Sequence, residues 1–235
     1  NLSSKMFDQY LKALDPEKLY FLQADVDRLG ADRTRFDDAI LNEDLRAPFE
    51  VFNVYERRVA QRLTYARTLL QKGFDFRSDE NLLIDRKSQA RPTSEAQLQD
   101  LWRKHVKNDW LRLKLAGKDD KAVVTILDKR YESAFKRLGK TTSADAFQAF
   151  MNAYTMAIEP HTNYMGPRAA EDFDIAMRLS LVGIGAVLME IDGYATIREL
   201  VSGGPASQSG QLKVGDRIVG VAQGAGAMED VVGWR

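Results

Sequence analysis

The sequence has no cysteine and only two histidines among its 235 residues. The first absence removes disulfides, thiolate metal sites and cysteine nucleophiles, and leaves the redox compartment open. His105 and His161 stand apart with no H-E-x-x-H pattern around them, so no metal motif is present. Charge of one sign is also lacking: 34 basic residues balance 34 acidic ones, and no global field would hold the chain on nucleic acid or an anionic membrane. No apolar run approaches the roughly 20 residues that span a bilayer. The opening NLSSKMFDQY has neither the charged start nor the apolar stretch of a secretory leader, which implies a cytosolic protein or one whose leader has been removed. No G-x-S-x-G and no G-x-x-x-x-G-K-[ST] occurs, so neither a nucleophile elbow nor a Walker loop is available.

What is present falls into two unlike parts. Up to about residue 158 the apolar residues recur at helical spacing. KMFDQYLKALDP and LYFLQADVDRLG predict two short helices, stopped by Pro16 and Gly30. Phe52, Tyr55, Val59, Leu63, Ala66 and Leu70 form one stripe of a long helix. A further helix starts at Thr93 or Ser94 and stops at Gly117, another spans 119–139, and SADAFQAFMNAYTMAIEP runs from a serine cap to Pro160. Between Gly73 and Pro92 the periodicity is lost, predicting a long exposed loop anchored by Leu82, Leu83 and Ile84. Glu171, Asp172 and Asp174 are expected to serve a helix N-terminus after Pro167.

After Pro167 glycine becomes frequent and the period moves toward two. MRLSLVGI, AVLMEID, YATIREL and DRIVGVA are strand candidates, separated by turns at 192–193, 202–205 and 214–216, with a short helical turn at PASQSGQL. The expected fold is α+β: a mainly helical N-terminal domain over 1–175, then a small β domain over 176–235.

SLVGIGAVLM, residues 180–189, places two glycines one residue apart in an otherwise apolar run. A dinucleotide fingerprint fails, since position 188 is leucine and a strand follows. Two alternatives remain. The glycines mark a bulge or close backbone approach in an ordinary strand. Otherwise their amides form a nest for a carboxylate, and the adjoining strand edge pairs with an extended peptide.

The run GIG, a second strand, GGPASQSG and then QLKVGDRIVGV resembles the PDZ domain of bacterial proteases. EPHTNYMGP at 159–167, between helices and that domain, is similar to the tail-specific, or carboxy-terminal processing, proteases of the long periplasmic type. FDQYLKALDP, LKLAGK, KRYESAFKRL, LSLVGIGAVL and VGDRIVGV follow in the order that family leads one to expect, over essentially the whole chain. The resemblance implies a substrate-recognition fragment of a serine endopeptidase: a PDZ that binds protein C-termini, and a Ser/Lys dyad in a downstream core missing here, so that this chain alone is inactive and holds no catalytic residue. It further implies a carboxylate-binding loop of Leu181, Val182, Gly183, Ile184, Gly185 and Ala186, with Val187 to Met189 on the peptide-pairing strand. The PDZ is expected to be incomplete, truncated before or within its groove helix, and therefore to bind weakly. Periplasmic location, no cofactor, no metal, cell-wall hydrolases as substrates and a helical-repeat lipoprotein adaptor as partner are implied in the same way. The alternative is a noncatalytic peptide-binding scaffold protein.

Two further features read as structural. Trp102 and Trp110 share the apolar stripe of their helix while the surrounding bases lie mostly off it, so no nucleic-acid partner is expected. His161 is expected to cap or bridge and not to act as an acid or base. Exposed strand edges leave self-association open.

Overall fold

Helix α1 (Leu2–Leu14) buries Met6, Phe7, Tyr10, Leu11 and Leu14 on one face, and the Asn1 side chain caps it by accepting the Ser3 amide at 2.9 Å. In the computed structural model, residues 1–178, 183–222, 224 and 226–232 are described. The helix that LYFLQADVDRLG predicts is shorter than expected. Residues 19–22 are not helical, because the carboxylate of Asp15 accepts the amides of Leu19, Tyr20 and Phe21 and wraps the chain around itself. Helix α2 (Gln23–Leu29) begins only after that loop, and Gly30 does not stop it cleanly: the chain tightens into a 3-10 turn over Gly30–Arg35 before α3 (Asp38–Leu41).

Helix α4 (Arg46–Lys72) is the mast of the first unit, 27 residues or about 40 Å long. Its first half contributes Val51, Phe52 and Val54 to a core shared with α1 and with α7 (Ser143–Ile158), where Phe7, Tyr10, Phe36 and Phe150 meet edge to face or tilted. Its second half contributes Val59, Leu63, Ala66, Leu69 and Leu70 to a core shared with α5 (Glu95–Leu115) and α6 (Asp120–Gly139). Arginines on α4 hold three neighbours: Arg58 to Asp25 on α2, Arg62 to Glu95 on α5, and Arg67 to Asp128 on α6.

The helix starts follow capping chemistry. Ser94 caps α5 and Asp119 caps α6, each accepting an amide of the first turn. Helix α7 is capped by Thr142, with Asp145 returning the bond to the Thr142 amide, one residue earlier than the serine expected. The segment from Gly73 to Pro92 carries no helix or strand, but its anchors differ from those expected. Leu82 packs on the second core, while Leu83 and Ile84 are exposed. Phe74 packs against Trp110, and Glu80 bonds Arg103 and Lys107. Arg91 reaches the buried Asp15.

The chain divides into one unit over Asn1–Gly166 and another beginning at Pro167. Helix α8 (Pro167–Arg178) thus groups with the second unit, ahead of the 175/176 boundary that composition suggests. Glu171, Asp172 and Asp174 lie beyond its first turn, not at its N-terminus. Met177 and Arg178 are helical, where a strand was expected to begin. A three-stranded antiparallel sheet follows in the order β1-β2-β3: β1 (Ala186–Ile191), β2 (Tyr194–Leu200) and β3 (Arg217–Ile218). Helix α9 (Pro205–Ser209) interrupts the β2 to β3 connection, and β4 (Gly220–Val221) pairs with β5 (Glu229–Asp230). Asp192 and Gly193 turn β1 into β2 with positive φ at both positions, as a tight two-residue hairpin requires. The architecture is α+β, a helical unit followed by a small β unit.

Candidate peptide-binding loop

Strand β1 lies at one end of the sheet, so among the described residues it has β2 on one side and an unpaired edge on the other. Its side chains are unusually bare for so apolar a strand: Val187, Leu188 and Met189 are each more than two-fifths exposed. The register slips between Val187 and Leu188, whose partners are Glu199 and Ile197, leaving Arg198 as the extra residue of a bulge on β2.

The loop entering β1 holds the candidate residues. Leu181 and Val182 lie outside the described residues. Gly183 and Ile184 are exposed, Ile184 at 47%, while Gly185 and Ala186 are half-buried. The carbonyl of Gly185 accepts the Val201 amide at 2.8 Å, and that of Ile184 accepts the Ala206 amide at 2.7 Å. The amides of Gly183, Ile184 and Gly185 donate to no described residue. Among the described residues, three consecutive main-chain donors at the mouth of an edge strand therefore have no acceptor. Donors of this kind can receive an anion, each charge-assisted bond being worth roughly 1.5–3 kcal/mol.

The two glycines have different reasons to be there. Gly185 has φ +73°, and a Cβ on it would sit 3.1 Å from the Gly204 Cα and 3.2 Å from the Pro205 Cδ. Close backbone approach therefore accounts for Gly185 whether or not a ligand binds. A Cβ on Gly183 meets nothing within 4 Å, so steric blocking of the described surroundings does not explain that glycine. The motif left no signal for the two carbonyl bonds. GGPA announces a turn and a short helix, but which main-chain groups it meets twenty residues earlier is not written in side chains.

The other residues singled out have local partners, except His105, whose buried Nε2 has no hydrogen-bond partner among the described residues. Glu159 closes the EPHT turn: its carboxylate accepts the His161 amide at 2.9 Å and the Thr162 hydroxyl at 3.1 Å, and lies 2.6 Å from His161 Nδ1. The His161 contact holds the Glu159 carboxyl below its usual range. Asn152 accepts the Tyr164 amide at 2.8 Å and Phe147 stacks edgewise on Tyr164, fixing the end of the first unit. Burial holds His105 below the usual imidazole value. Trp102 and Trp110 are buried, donating to the Leu19 carbonyl and to Asp120, and Arg103, Lys104, Lys107 and Lys114 are all ion-paired. Among the described residues no cluster of three metal-ligating side chains occurs, and no helix is long and apolar enough to cross a membrane.

Comparison with known proteins locates the chain. Residues 1–168 match the family model described as tail specific protease N-terminal domain. A Haemophilus influenzae protein named tail-specific protease is 42% identical over 236 residues, taking in 100% of this chain and 34% of that protein. The chain thus spans about a third of that relative's length. A crystal structure of the PDZ domain of a carboxy-terminal protease from Vibrio cholerae, in complex with peptide, is 60% identical over 23% of this chain and 54% of that one, with a TM-score of 0.22.

Proposed function

The chain belongs to the tail-specific protease family, and on that premise we propose that its second unit is a PDZ-type reader of protein C-termini, with the loop at 181–186 receiving the terminal carboxylate. The observation that supports the reading is the set of amides at Gly183, Ile184 and Gly185 that have no acceptor among the described residues, beside an edge strand able to add a peptide strand. A carboxylate taking two or three of those donors is held by charge-assisted bonds, while main-chain pairing along β1 orients the rest of the peptide. Exposed apolar groups such as Ile184 and Val187 offer the last side chain a partner.

In this reading the whole protein is a periplasmic serine endopeptidase. It holds a tail on the β unit, which the helical unit precedes in sequence, and cuts with a Ser/Lys dyad beyond these 235 residues. Cell-wall hydrolases are its proposed substrates, and a helical-repeat lipoprotein is its proposed adaptor.

The test uses a fluorescein-labelled peptide with an apolar last residue, as free acid and as C-terminal amide, titrated by anisotropy against the 235-residue chain. The acid is expected to bind about tenfold tighter than the amide, the equivalent of one charge-assisted bond. Equal affinities would sink the proposal. An unfolded protein incubated with the pure chain should stay uncut, and reproducible cleavage would overturn the placement of the chemistry.

A further inference from the structure

A trans peptide plane points its carbonyl and the next residue's amide in opposite directions. Two planes of the loop are pinned by their carbonyls. The plane joining Ile184 to Gly185 is held by the Ala206 amide, and the plane joining Gly185 to Ala186 is held by the Val201 amide. The amides of Gly185 and Ala186 are thereby aimed away from the Val201–Ala206 turn, the second of them toward the unpaired edge of β1. The turn is itself closed by the Gly204 amide on the Val201 carbonyl at 2.9 Å. Its apex touches the loop at the one place where neither side carries a Cβ. A methyl added to Gly204 would lie 3.1 Å from the Val201 carbonyl oxygen and 3.2 Å from the Gly185 Cα.

We propose that the Val201–Ala206 turn, with Gly204 at its apex, is the positioning element that sets the direction of the Gly185 and Ala186 amides, and so fixes the loop's preference for a free carboxylate. Gly204 touches no ligand in this account; it acts through Gly185. The turn gains from the arrangement as well. Helix α9 has no side-chain cap at Gly204, and the Ile184 carbonyl takes the Ala206 amide that would otherwise stand unsatisfied at the helix start. Loop and turn therefore order each other.

The inference rests on the proposed function of the same loop, and two separate measurements keep the two apart. The first needs no peptide. In amide NMR spectra of the 235-residue chain, Gly204→Ala should move the Gly185 and Ala186 resonances, whereas Ile197→Val, a loss of packing in the core of the same unit, should leave them near their original positions. Unmoved Gly185 and Ala186 signals in folded Gly204→Ala would overturn the positioning role whatever the peptide does. The second measures the acid-to-amide affinity ratio. Gly204→Ala should lower the affinity for the acid about tenfold and leave the amide unchanged, so the ratio falls toward one; Ile197→Val should preserve it. Parallel losses for both peptide forms, or an intact ratio in Gly204→Ala, would defeat the proposal. A wild-type ratio of one would defeat the proposed function instead, and the resonance shifts would still decide whether the turn orients the loop. Should Gly204→Ala fail to fold, Pro205→Gly, which relaxes the turn without adding a heavy atom, is expected to move the same resonances and to reduce the ratio by a smaller factor.

Discussion

At Asp15 one side chain replaces a turn of helix. It is 1% exposed, and its two oxygens accept the amides of Leu19, Tyr20 and Phe21 as well as the guanidinium of Arg91, whose side chain is only 9% exposed. The two partners are not equivalent. Asp15→Ala would leave three amides and a buried cation without an acceptor, and is expected to cost about 3–5 kcal/mol. Arg91→Met would leave the carboxylate with its amides and is expected to cost less, about 1–3 kcal/mol. Urea unfolding of the two variants measures the difference; an equal or reversed order would mean that the three amides are not the larger part of what Asp15 holds together. The loop was not legible in LYFLQADVDRLG, because the periodicity there suits a helix and the competing acceptor lies earlier, at the end of α1.

Element by element, the features written in side chains beside the backbone they control were readable. Ser94, Asp119, Gly117 and the Asp192–Gly193 pair announce caps, a stop and a hairpin. What depends on a distant partner was not. In the segment from Gly73 to Pro92, hydrophobicity points to Leu82, Leu83 and Ile84, yet two of the three are exposed, and Leu82 shares the anchoring with Phe74 and with the ion pairs of Glu80. The candidate loop divides in the same way: GIG signalled small residues at 183 and 185, but the carbonyl bonds to Val201 and Ala206 carry no side-chain mark. The ionic anchor can be tested by pH. Arg103, then Lys107, hydrogen-bond the Glu80 carboxylate and lower its value to about 2. A carboxyl depressed in the folded state contributes fully above its unfolded value and loses that contribution as pH falls through its folded one. The Glu80 clasp should therefore hold at pH 4 and release near pH 2. At neutral pH, Glu80→Gln should raise hydrogen exchange and proteolytic nicking between Phe74 and Pro92 while leaving α5 protected. Exchange in that segment unchanged by the substitution would show that Phe74 and Phe76 hold it unaided.

Across the whole molecule the two units differ in how much core they own. The first has two aromatic-rich cores joined along α4, whereas the apolar residues buried among those described in the second are few: Ile197, Ala206 and Val231. Marginal stability scales with chain length, so a unit of this size has on the order of 3–10 kcal/mol in hand. Ile197 is 1% exposed, and truncating such a residue to alanine removes about 2–5 kcal/mol. Ile197→Ala is thus expected to melt the β unit near ambient temperature. No residue of the two helical cores belongs to the second unit, so the helical far-UV signal and its main thermal transition should remain. Peptide binding should vanish in the same variant, since β1 and the Val201–Ala206 turn order each other only while β2 is formed. A single transition that shifts as a block for both spectral signals would instead mean that the helical unit depends on the β unit for its stability, and the carboxylate loop would then have to be read as part of one folding body with the α4 mast.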